Sequence, residues 1–249
     1  MTEKSLIYFV SDVHLGAPAL KNNRERELLF AHWLDSIKDT VAELYLMGDI
    51  FDFWWEYKKV APRGFTRILG RIADLTDRGI PVHFFTGNHD VWVFDYLPEE
   101  TGVILHREPL VTEIKGKTFF LAHGDGLDQS DKGYLFLKKL FTNKTLQWMF
   151  SRIHPNFGLS LAHKWSASSR LSKPDYEQEF MVNRDGMYKF AVDFLKNTPV
   201  DFLVMGHRHQ LVMEPMNEKA TFVLLGDWIS SFSYGVFDGE KFELKKYKR

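Results

Sequence analysis

Five short motifs carry the residues of this sequence that are best suited to chemistry. Each presents Asp, Asn or His close to a glycine and stands at or just after a short β-branched or aromatic run typical of a buried strand. The motifs are Asp12-Val13-His14, Gly48-Asp49-Ile50-Phe51-Asp52, Gly87-Asn88-His89-Asp90, His123-Gly124-Asp125 and Gly206-His207-Arg208-His209. Because ligand sites of α/β sheets form at the carboxyl ends of strands, we expect the five motifs to meet in one site.

The side chains of these motifs offer oxygen and imidazole nitrogen but no sulfur, and the chain contains no cysteine. This donor set suits Mn²⁺, iron or Zn²⁺. It contains more ligands than one ion needs, which favours two ions that share a carboxylate. A pair of ions about 3.5 to 4 Å apart activates water and clamps a phosphoryl group, so a phosphoester could be hydrolysed without a Ser or Cys nucleophile.

The elements that must position these motifs alternate as in an α/β fold. Strands are predicted at six apolar runs, which are Leu6 to Val10, Leu44 to Met47, Val82 to Phe85, Thr118 to Leu121, Phe202 to Met205 and Phe222 to Leu225. Helical spacing of apolar residues predicts helices over Arg24 to Lys38 and Phe65 to Arg78, the second ended by Gly79-Ile80-Pro81. Asp238-Gly239 predicts a hairpin within Tyr234 to Tyr247.

One segment, Lys132 to Lys173, interrupts this alternation with helix-like apolar spacing and no strand signal. It contains eight basic residues and no acidic one, although the whole chain has a net charge of −1. Two interpretations are open. The segment is either a helical pair with ordinary solvated lysines, or a cap whose apolar groove and cationic edges suit an anionic lipid and a membrane surface.

Composition sets further limits on function. The 249 residues, 45% of them hydrophobic, fit a folded globular enzyme, and the balance of 32 basic and 33 acidic residues excludes binding of nucleic acid by bulk positive charge. The apolar run Leu6 to Val10 is too short for a signal-peptide core, and no run of about 18 apolar residues predicts a membrane span. We therefore expect no export signal, and a protein that is soluble or lies on a membrane surface.

The motifs D-x-H, G-D-x-x-D, G-N-H-D, H-G-D and G-H-x-H, in this order, resemble those of the calcineurin-like metallophosphoesterase superfamily. The resemblance implies a four-layer α/β/β/α sandwich forming a single domain over residues 1–249, with a helical cap inserted at about 132–173. It also implies two divalent ions, with Mn²⁺ as the expected metal. The implied ligands are Asp12, His14, Asp49 and His209 for one ion, and Asn88, His123, His207 and the bridging Asp49 for the other.

The same resemblance gives catalytic roles to two further residues of the third motif. His89 is similar to the histidine that stabilises the transition state or protonates the leaving group, and Asp90 to the carboxylate that orients it.

Within the superfamily, the chain is most similar to the UDP-2,3-diacylglucosamine hydrolases of lipid A biosynthesis. The stretches S-D-V-H-L-G, G-D-I-F-D-F-W-W and H-G-D-G-L-D-Q-S-D-K-G-Y carry this likeness. It implies hydrolysis of an anionic, lipid-linked nucleotide sugar to UMP and a diacylated sugar 1-phosphate, at the cytoplasmic face of the inner membrane. The chain departs from many members at His89, where they have Arg.

The resemblance also implies substrate contacts from the third motif and the cap, namely Asn88, Asp131, Tyr134, Lys164, Ser166, Ser169 and Lys173. Asp131 has an alternative role as the cap of the following helix. Trp54 and Trp55 either line the mouth of the site or pack in the core, with the core favoured.

Other functions remain to be separated from this one. The rivals are a metallophosphoesterase acting on a soluble nucleotide, phosphoprotein or phosphodiester, and a scaffold that binds a partner without metal. Nucleic acid is disfavoured as a substrate, because the basic segment is as rich in Leu and Phe as in Lys. The sequence does not indicate an oligomeric state.

Overall fold

The structure is a computed structural model that describes residues 5–161 and 185–248. Its described residues form eleven strands in two sheets. The strands are β1 Leu6–Val10, β2 Val41–Leu46, β3 Val82–Phe85, β4 Ile104–His106, β5 Leu110–Ile114, β6 Lys117–Leu121, β7 Phe202–Met205, β8 Leu211–Pro215, β9 Thr221–Leu225, β10 Ser233–Phe237 and β11 Phe242–Lys246.

Within each sheet, the strands that precede the motifs run parallel to one another. The first sheet has the order β11-β10-β1-β2-β3-β4, in which β1 to β4 run parallel and β10 pairs antiparallel with β1. The second has the order β5-β6-β7-β9-β8, in which β6, β7 and β9 run parallel. The carboxyl ends of β1, β2 and β3 therefore share one edge of their sheet, and those of β6 and β7 share one edge of theirs.

Helices either pack on the outer face of a sheet or lie in the predicted cap. They are α1 Asn23–Ile37, α2 Thr66–Asp77, α3 Tyr96–Thr101, α4 Lys132–Thr142, α5 Lys144–Phe150 and α6 Gly186–Leu195. Three clusters of buried apolar residues lie between α1 and α2 and the first sheet, between the two sheets, and between the second sheet and α6. These three interfaces separate four layers, which confirms the predicted α/β/β/α sandwich.

The local predictions match these elements closely. The strands predicted at Leu6 to Val10, Val82 to Phe85 and Phe202 to Met205 have the expected ends. Helix α2 ends at Asp77, and Gly79 takes the left-handed conformation with a φ of 75° that suits glycine. The predicted hairpin is also present, since β10 and β11 pair from Phe237 and Phe242 outward.

The described part of the predicted cap is helical. It consists of α4, α5 and a further helical stretch at 155–161, and neither α4 nor α5 has a buried residue. Seven large apolar side chains of this part are exposed to solvent: Phe136, Leu140, Leu146, Trp148, Met149, Phe157 and Leu161. The predicted contact residues Lys164, Ser166, Ser169 and Lys173 lie outside the described residues.

Among the described residues, no helix is both long enough and apolar enough to cross a bilayer.

Candidate metal centre

The predicted ligands lie on the loops that follow five parallel strands. Asp12 follows β1, Asp49 follows β2, Asn88 follows β3, His123 follows β6, and the pair His207 and His209 follows β7. The backbone of these loops is unusual. Asp12, His14, Asp49, His207 and His209 all have positive φ angles between 47° and 68°. Non-glycine residues rarely adopt this region, and its concentration in the motif loops is typical of functional sites.

Glycines in two of the motifs permit close approach of one loop to another. A Cβ atom on Gly87 would overlap the carboxylate of Asp49, and a Cβ atom on Gly206 would overlap that of Asp12. These positions therefore exclude any side chain, and the two carboxylates occupy the space instead.

Two groups of ligand-type atoms converge in the centre. In the first, Nε2 of His209 lies 3.3 Å from Oδ1 of Asp12 and 3.2 Å from Nε2 of His14. In the second, Nε2 of His123 lies 3.4 Å from Oδ2 of Asp49, and His207 completes the group. The same Oδ2 of Asp49 is 3.7 Å from Nε2 of His14, so Asp49 lies between the two groups. All six side chains were predicted as ligands.

The donor set fits a pair of divalent ions. Three buried atoms of ligand type make no hydrogen bond within the part of the chain that the structure describes. They are Oδ1 of Asp12, Oδ1 of Asn88 and Nε2 of His123. A buried polar atom without a partner is costly, so its presence requires an explanation. Oxygen and nitrogen atoms that lie close together without a hydrogen bond are suited to act as ligands of a cation.

The opposite ring nitrogens of two of these histidines are held by outer partners. Nδ1 of His123 donates to the carbonyl oxygen of Met47 at 2.9 Å, and Nδ1 of His14 lies 3.5 Å from Oδ1 of Asp52. Such partners orient the ring so that Nε2 is presented to a metal ion. Asp52 was not predicted to have a role, although it is the second acidic residue of the Gly48-to-Asp52 motif.

The structure corrects the predicted partner of His89. Nδ1 of His89 lies 2.8 Å from the carbonyl oxygen of Asp52, and its backbone N–H donates to Oδ1 of Asp49. The carboxylate of Asp90 is instead occupied by four backbone amides, those of Gly87, Asp49, Ile50 and Phe51 at 2.7 to 3.3 Å. Asp90 therefore acts on His89 only through the backbone, because four donors saturate its oxygens.

The carboxylate of Asp49 has a lowered pKa within the centre. Burial would raise its pKa, but the charges of His123 and His89 outweigh burial and hold the pKa well below its usual value. Burial and the nearby charge of His123 lower the pKa of His207 to about 4. At neutral pH Asp49 is therefore ionised and His207 is neutral, which are the states that metal binding requires of these two ligands.

For Asp90, unlike Asp49, the pKa-raising effect of burial is not outweighed. Together with the negative charge of Asp49, burial raises the pKa of Asp90 to about 7, because the backbone amides compensate only in part.

Helix α4 is tied to the loop that carries His123. Asp125, two residues beyond His123, accepts hydrogen bonds at 2.7 Å from the hydroxyl of Tyr134, and its carboxylate pairs with Nζ of Lys138 at 2.7 Å. The ring of Tyr134 lies 6.1 Å from that of His207. The predicted contact residue Tyr134 thus stands beside the centre, and its hydroxyl already has a protein partner.

The structure bears on two of the open local alternatives, and the predicted substrate contact of Asp131 stays a prediction. Asp131 caps α4, since its side chain accepts a hydrogen bond from the backbone N–H of Tyr134 at 2.8 Å. Trp54 and Trp55 are 0% and 2% exposed, and Trp55 packs against Trp92 and Phe150. Both tryptophans therefore belong to the core, as the sequence favoured.

Replacement of Asp90 by Asn tests its structural role. The carboxamide retains one accepting oxygen, but its NH₂ group would face backbone donors, and each buried amide left without an acceptor costs about 1 to 3 kcal/mol. We expect Asp90→Asn to lower the free energy of unfolding of the chelator-treated protein by about 2 kcal/mol in urea denaturation. Asp95→Asn, at an exposed carboxylate of the same loop, is the matched control. Equal stability of the two variants would contradict the assignment.

Known proteins are similar in sequence to this chain over most of its length. The profile of the calcineurin-like phosphoesterase family matches residues 5–211. A UDP-2,3-diacylglucosamine hydrolase of Porphyromonas gingivalis is 39% identical over 249 residues, with 95% of each chain covered. Proteins of the same description from Histophilus somni and Haemophilus influenzae are 29% and 27% identical, over 89% and 91% of this chain and 91% and 92% of their own.

Proposed function

Because the chain belongs to the calcineurin-like phosphoesterase family, we propose that it hydrolyses the pyrophosphate of UDP-2,3-diacylglucosamine in the lipid A pathway. The observation that carries the proposal is the contact between the polar centre and α4, made by Tyr134 and Lys138 with Asp125. This contact places a centre suited to phosphoester hydrolysis beside helices with exposed apolar and basic residues. An acylated, phosphorylated substrate needs both surfaces.

The metal ligands are assigned from the two groups of converging atoms. Asp12, His14, Asp49 and His209 would hold one ion, and Asp49, Asn88, His123 and His207 would hold the other. Oδ2 of Asp49 supports the bridging role, because it lies within 3.7 Å of nitrogens from both groups. The mixed oxygen and imidazole donors favour Mn²⁺ over ions that prefer sulfur.

The reaction is a displacement at the phosphorus on the uridine side. Water adds its oxygen to that phosphorus, the bond to the bridging oxygen breaks, and UMP and 2,3-diacylglucosamine 1-phosphate separate. Divalent ions in such a site activate the water and neutralise charge on the phosphoryl oxygens. The ring of His89 stands edge-on to that of His14 with centroids 4.7 Å apart, and this contact supports a role of His89 in stabilising the transition state or protonating the leaving oxygen.

The exposed face of the cap accounts for the lipid part of the substrate. Trp148, Met149 and Phe157 are 58%, 56% and 65% exposed, and each CH₂ group of an acyl chain buried against such a surface contributes about 0.8 kcal/mol. Arg152 stacks on Trp148 at 4.9 Å and brings a positive charge to the same face. This combination also supports association with the cytoplasmic face of the inner membrane, where anionic headgroups attract basic residues.

A substrate comparison tests the proposed function. The protein loaded with Mn²⁺ is assayed on UDP-2,3-diacylglucosamine, on UDP-N-acetylglucosamine without acyl chains, and on bis(p-nitrophenyl) phosphate. We expect the diacylated substrate to have the highest kcat/KM, with UMP as a product. Preference for an unacylated nucleotide would instead support the soluble-substrate function.

Substitutions on the exposed face of α5 separate lipid binding from chemistry. We expect Trp148→Ser combined with Met149→Ser to lower kcat/KM for the diacylated substrate and to weaken binding to anionic vesicles by at least about tenfold, because both side chains lose apolar contact area. Hydrolysis of bis(p-nitrophenyl) phosphate should stay within twofold of wild type. Val192→Ser, on an exposed position of α6, is the matched control.

A charge variant of the cap must avoid Lys138, because this lysine pairs with Asp125 beside the centre. Lys139 and Lys144 are exposed and suit the purpose, with Lys189→Glu on α6 as control. A double Glu variant that bound vesicles as tightly as wild type would contradict the proposed membrane contact.

A further inference from the structure

A turn near the carboxyl end of the chain lies against the first group of ligands. It begins at Asp227, two residues after the end of β9 at Leu225, and runs to β10, which starts at Ser233. The turn lies outside the five motifs and beyond residues 5–211 matched by the family profile. Asp227 is nevertheless 4% exposed, so its carboxylate needs partners within the protein.

The two oxygens of Asp227 have different partners. Oδ1 accepts the backbone N–H groups of Ile229, Ser230 and Ser231 at 3.0, 2.7 and 3.0 Å. These three donors fix the plane of the carboxylate. Oδ2 accepts the hydroxyl of Ser230 at 3.1 Å and faces Nδ1 of His209 at 3.6 Å.

The contact with His209 lies opposite the ligand side of the ring. Nε2 of His209 points to Oδ1 of Asp12 at 3.3 Å, whereas Nδ1 points to Asp227. A proton on Nδ1 is favoured by the carboxylate and leaves the lone pair on Nε2, as metal binding requires.

The same turn is joined to the loop that carries Asp12. The backbone N–H of Trp228 donates to the carbonyl oxygen of Asp12 at 3.0 Å. Arg26 of α1 is buried and donates from one guanidinium group to the carbonyl oxygens of Trp228, Val13 and His14. The position of Asp227 relative to the first group of ligands is therefore held by backbone contacts from both sides.

The electrostatics of the turn agree with this geometry. Burial would raise the pKa of Asp227, but the hydrogen bond with His209 and the amides of Ser230 and Ser231 outweigh it, so the pKa lies below its usual value.

We propose that Asp227 is a positioning residue. It orients His209 and favours the proton on Nδ1 of that ring, so that Nε2 can bind the ion held by the first group of ligands. The inference rests on the proposed function through the assignment of His209 as a ligand. Asp227 contacts neither substrate nor ion in this role, so its effect is on metal affinity and on the histidine tautomer rather than on the chemical step.

Asp227→Asn tests the role with little disturbance of the turn. The carboxamide oxygen can still accept the three backbone amides, while an NH₂ group replaces the oxygen that faces Nδ1 of His209. We expect binding of one of two Mn²⁺ ions to weaken about 10- to 100-fold in calorimetric titration of the chelator-treated protein, with the other ion little affected. Asp227→Glu, which restores a carboxylate, should recover part of the affinity.

Asp238→Asn is the matched control, because Asp238 also accepts two backbone amides in a turn, those of Glu240 and Lys241, away from the centre. Nitrogen-15 NMR of the metal-free protein gives a second readout. We expect His209 to carry its proton on Nδ1 in wild type and to lose this preference in Asp227→Asn. A merely structural role of Asp227 would not change the tautomer.

The outcomes separate the two proposals. If wild type binds no Mn²⁺ or a single ion, the proposed dinuclear centre fails. If wild type binds two ions and Asp227→Asn binds both with unchanged affinity and tautomer, the role of Asp227 is overturned while the centre stands. Should Asp227→Asn fail to fold, Asp227→Ser, which keeps one accepting oxygen for the turn, is expected to show the same loss.

Discussion

Asp49→Ala is expected to lose high-affinity binding of both divalent ions and nearly all phosphoesterase activity. Oδ2 of Asp49 lies within 3.7 Å of nitrogens from both ligand groups. The other carboxylate oxygen also accepts the backbone N–H of His89 at 2.8 Å. Under the proposed assignment, removal of this carboxylate would take a ligand from each ion. It would also remove the acceptor of the His89 backbone N–H in the loop of the third motif.

The loss of activity should exceed the roughly 10- to 100-fold loss that follows even from removal of an outer partner of a ligand. Metal content by elemental analysis and Mn²⁺ affinity by calorimetry are measured beside kcat/KM. Asp39→Ala, at an exposed carboxylate near the start of β2, should bind two ions as wild type does. An Asp49→Ala protein that lost only one ion, with the other bound at wild-type affinity, would contradict the bridging assignment.

His89→Ala is expected to retain both ions and to lose activity by about 10²- to 10⁴-fold, the range typical of a positioned acid or base. His89 is 18% exposed at its side chain, and its Nδ1 is held by the carbonyl oxygen of Asp52. This arrangement leaves Nε2 as the reactive nitrogen of the ring. The loss should fall on kcat more than on KM, because the interaction is made in the transition state.

Elemental analysis of His89→Ala separates a catalytic role from a role as ligand, which matters because His89 also lies near His14 and Asp49. His154→Ala, at an exposed histidine of the cap, is the control. Loss of an ion from His89→Ala would show that His89 is a metal ligand and would contradict the catalytic role. His89→Arg addresses the departure from related hydrolases, and activity above that of His89→Ala would indicate that a positive charge can replace the imidazole there.

Local features of the fold could be predicted because they depend on neighbouring residues. Apolar runs such as Leu6 to Val10 define central strands, and the Gly79-Ile80-Pro81 sequence defines the end of α2. The predictions were less complete at the sheet edges. Strands β4, β5 and β8 were not predicted, since nearly all of their residues are half-buried or exposed and they lack a long apolar run. Strand β2 begins at Val41, three residues before its predicted start. The prediction was late because the charged Glu43 interrupts the apolar pattern. In the structure, Oε1 of Glu43 lies 2.8 Å from Nε2 of His83.

The candidate ligands could be identified for a similar reason. Each motif places Asp, Asn or His directly after a strand, so the parallel order of the strands brings them to one edge. The outer partners could not be identified in this way. The carboxylate of Asp52 contacts His14, which is 38 positions earlier in the sequence. The hydroxyl of Tyr134 donates to Asp125 only because α4 folds back over the loop that precedes it.

The amino-acid sequence by itself determined which donors this protein has, on which strand ends they stand, and that sulfur takes no part in the site. Only the tertiary structure decided that Asp90 holds backbone amides while Asp52 holds His89, and that Asp227 and Arg26 support the first group of ligands. The physical reason is that strands and turns follow from short-range periodicity, whereas the partner of a buried polar group depends on sheet order and layer packing. Those bring Arg26 to the carbonyl of Trp228, 202 residues away in the chain.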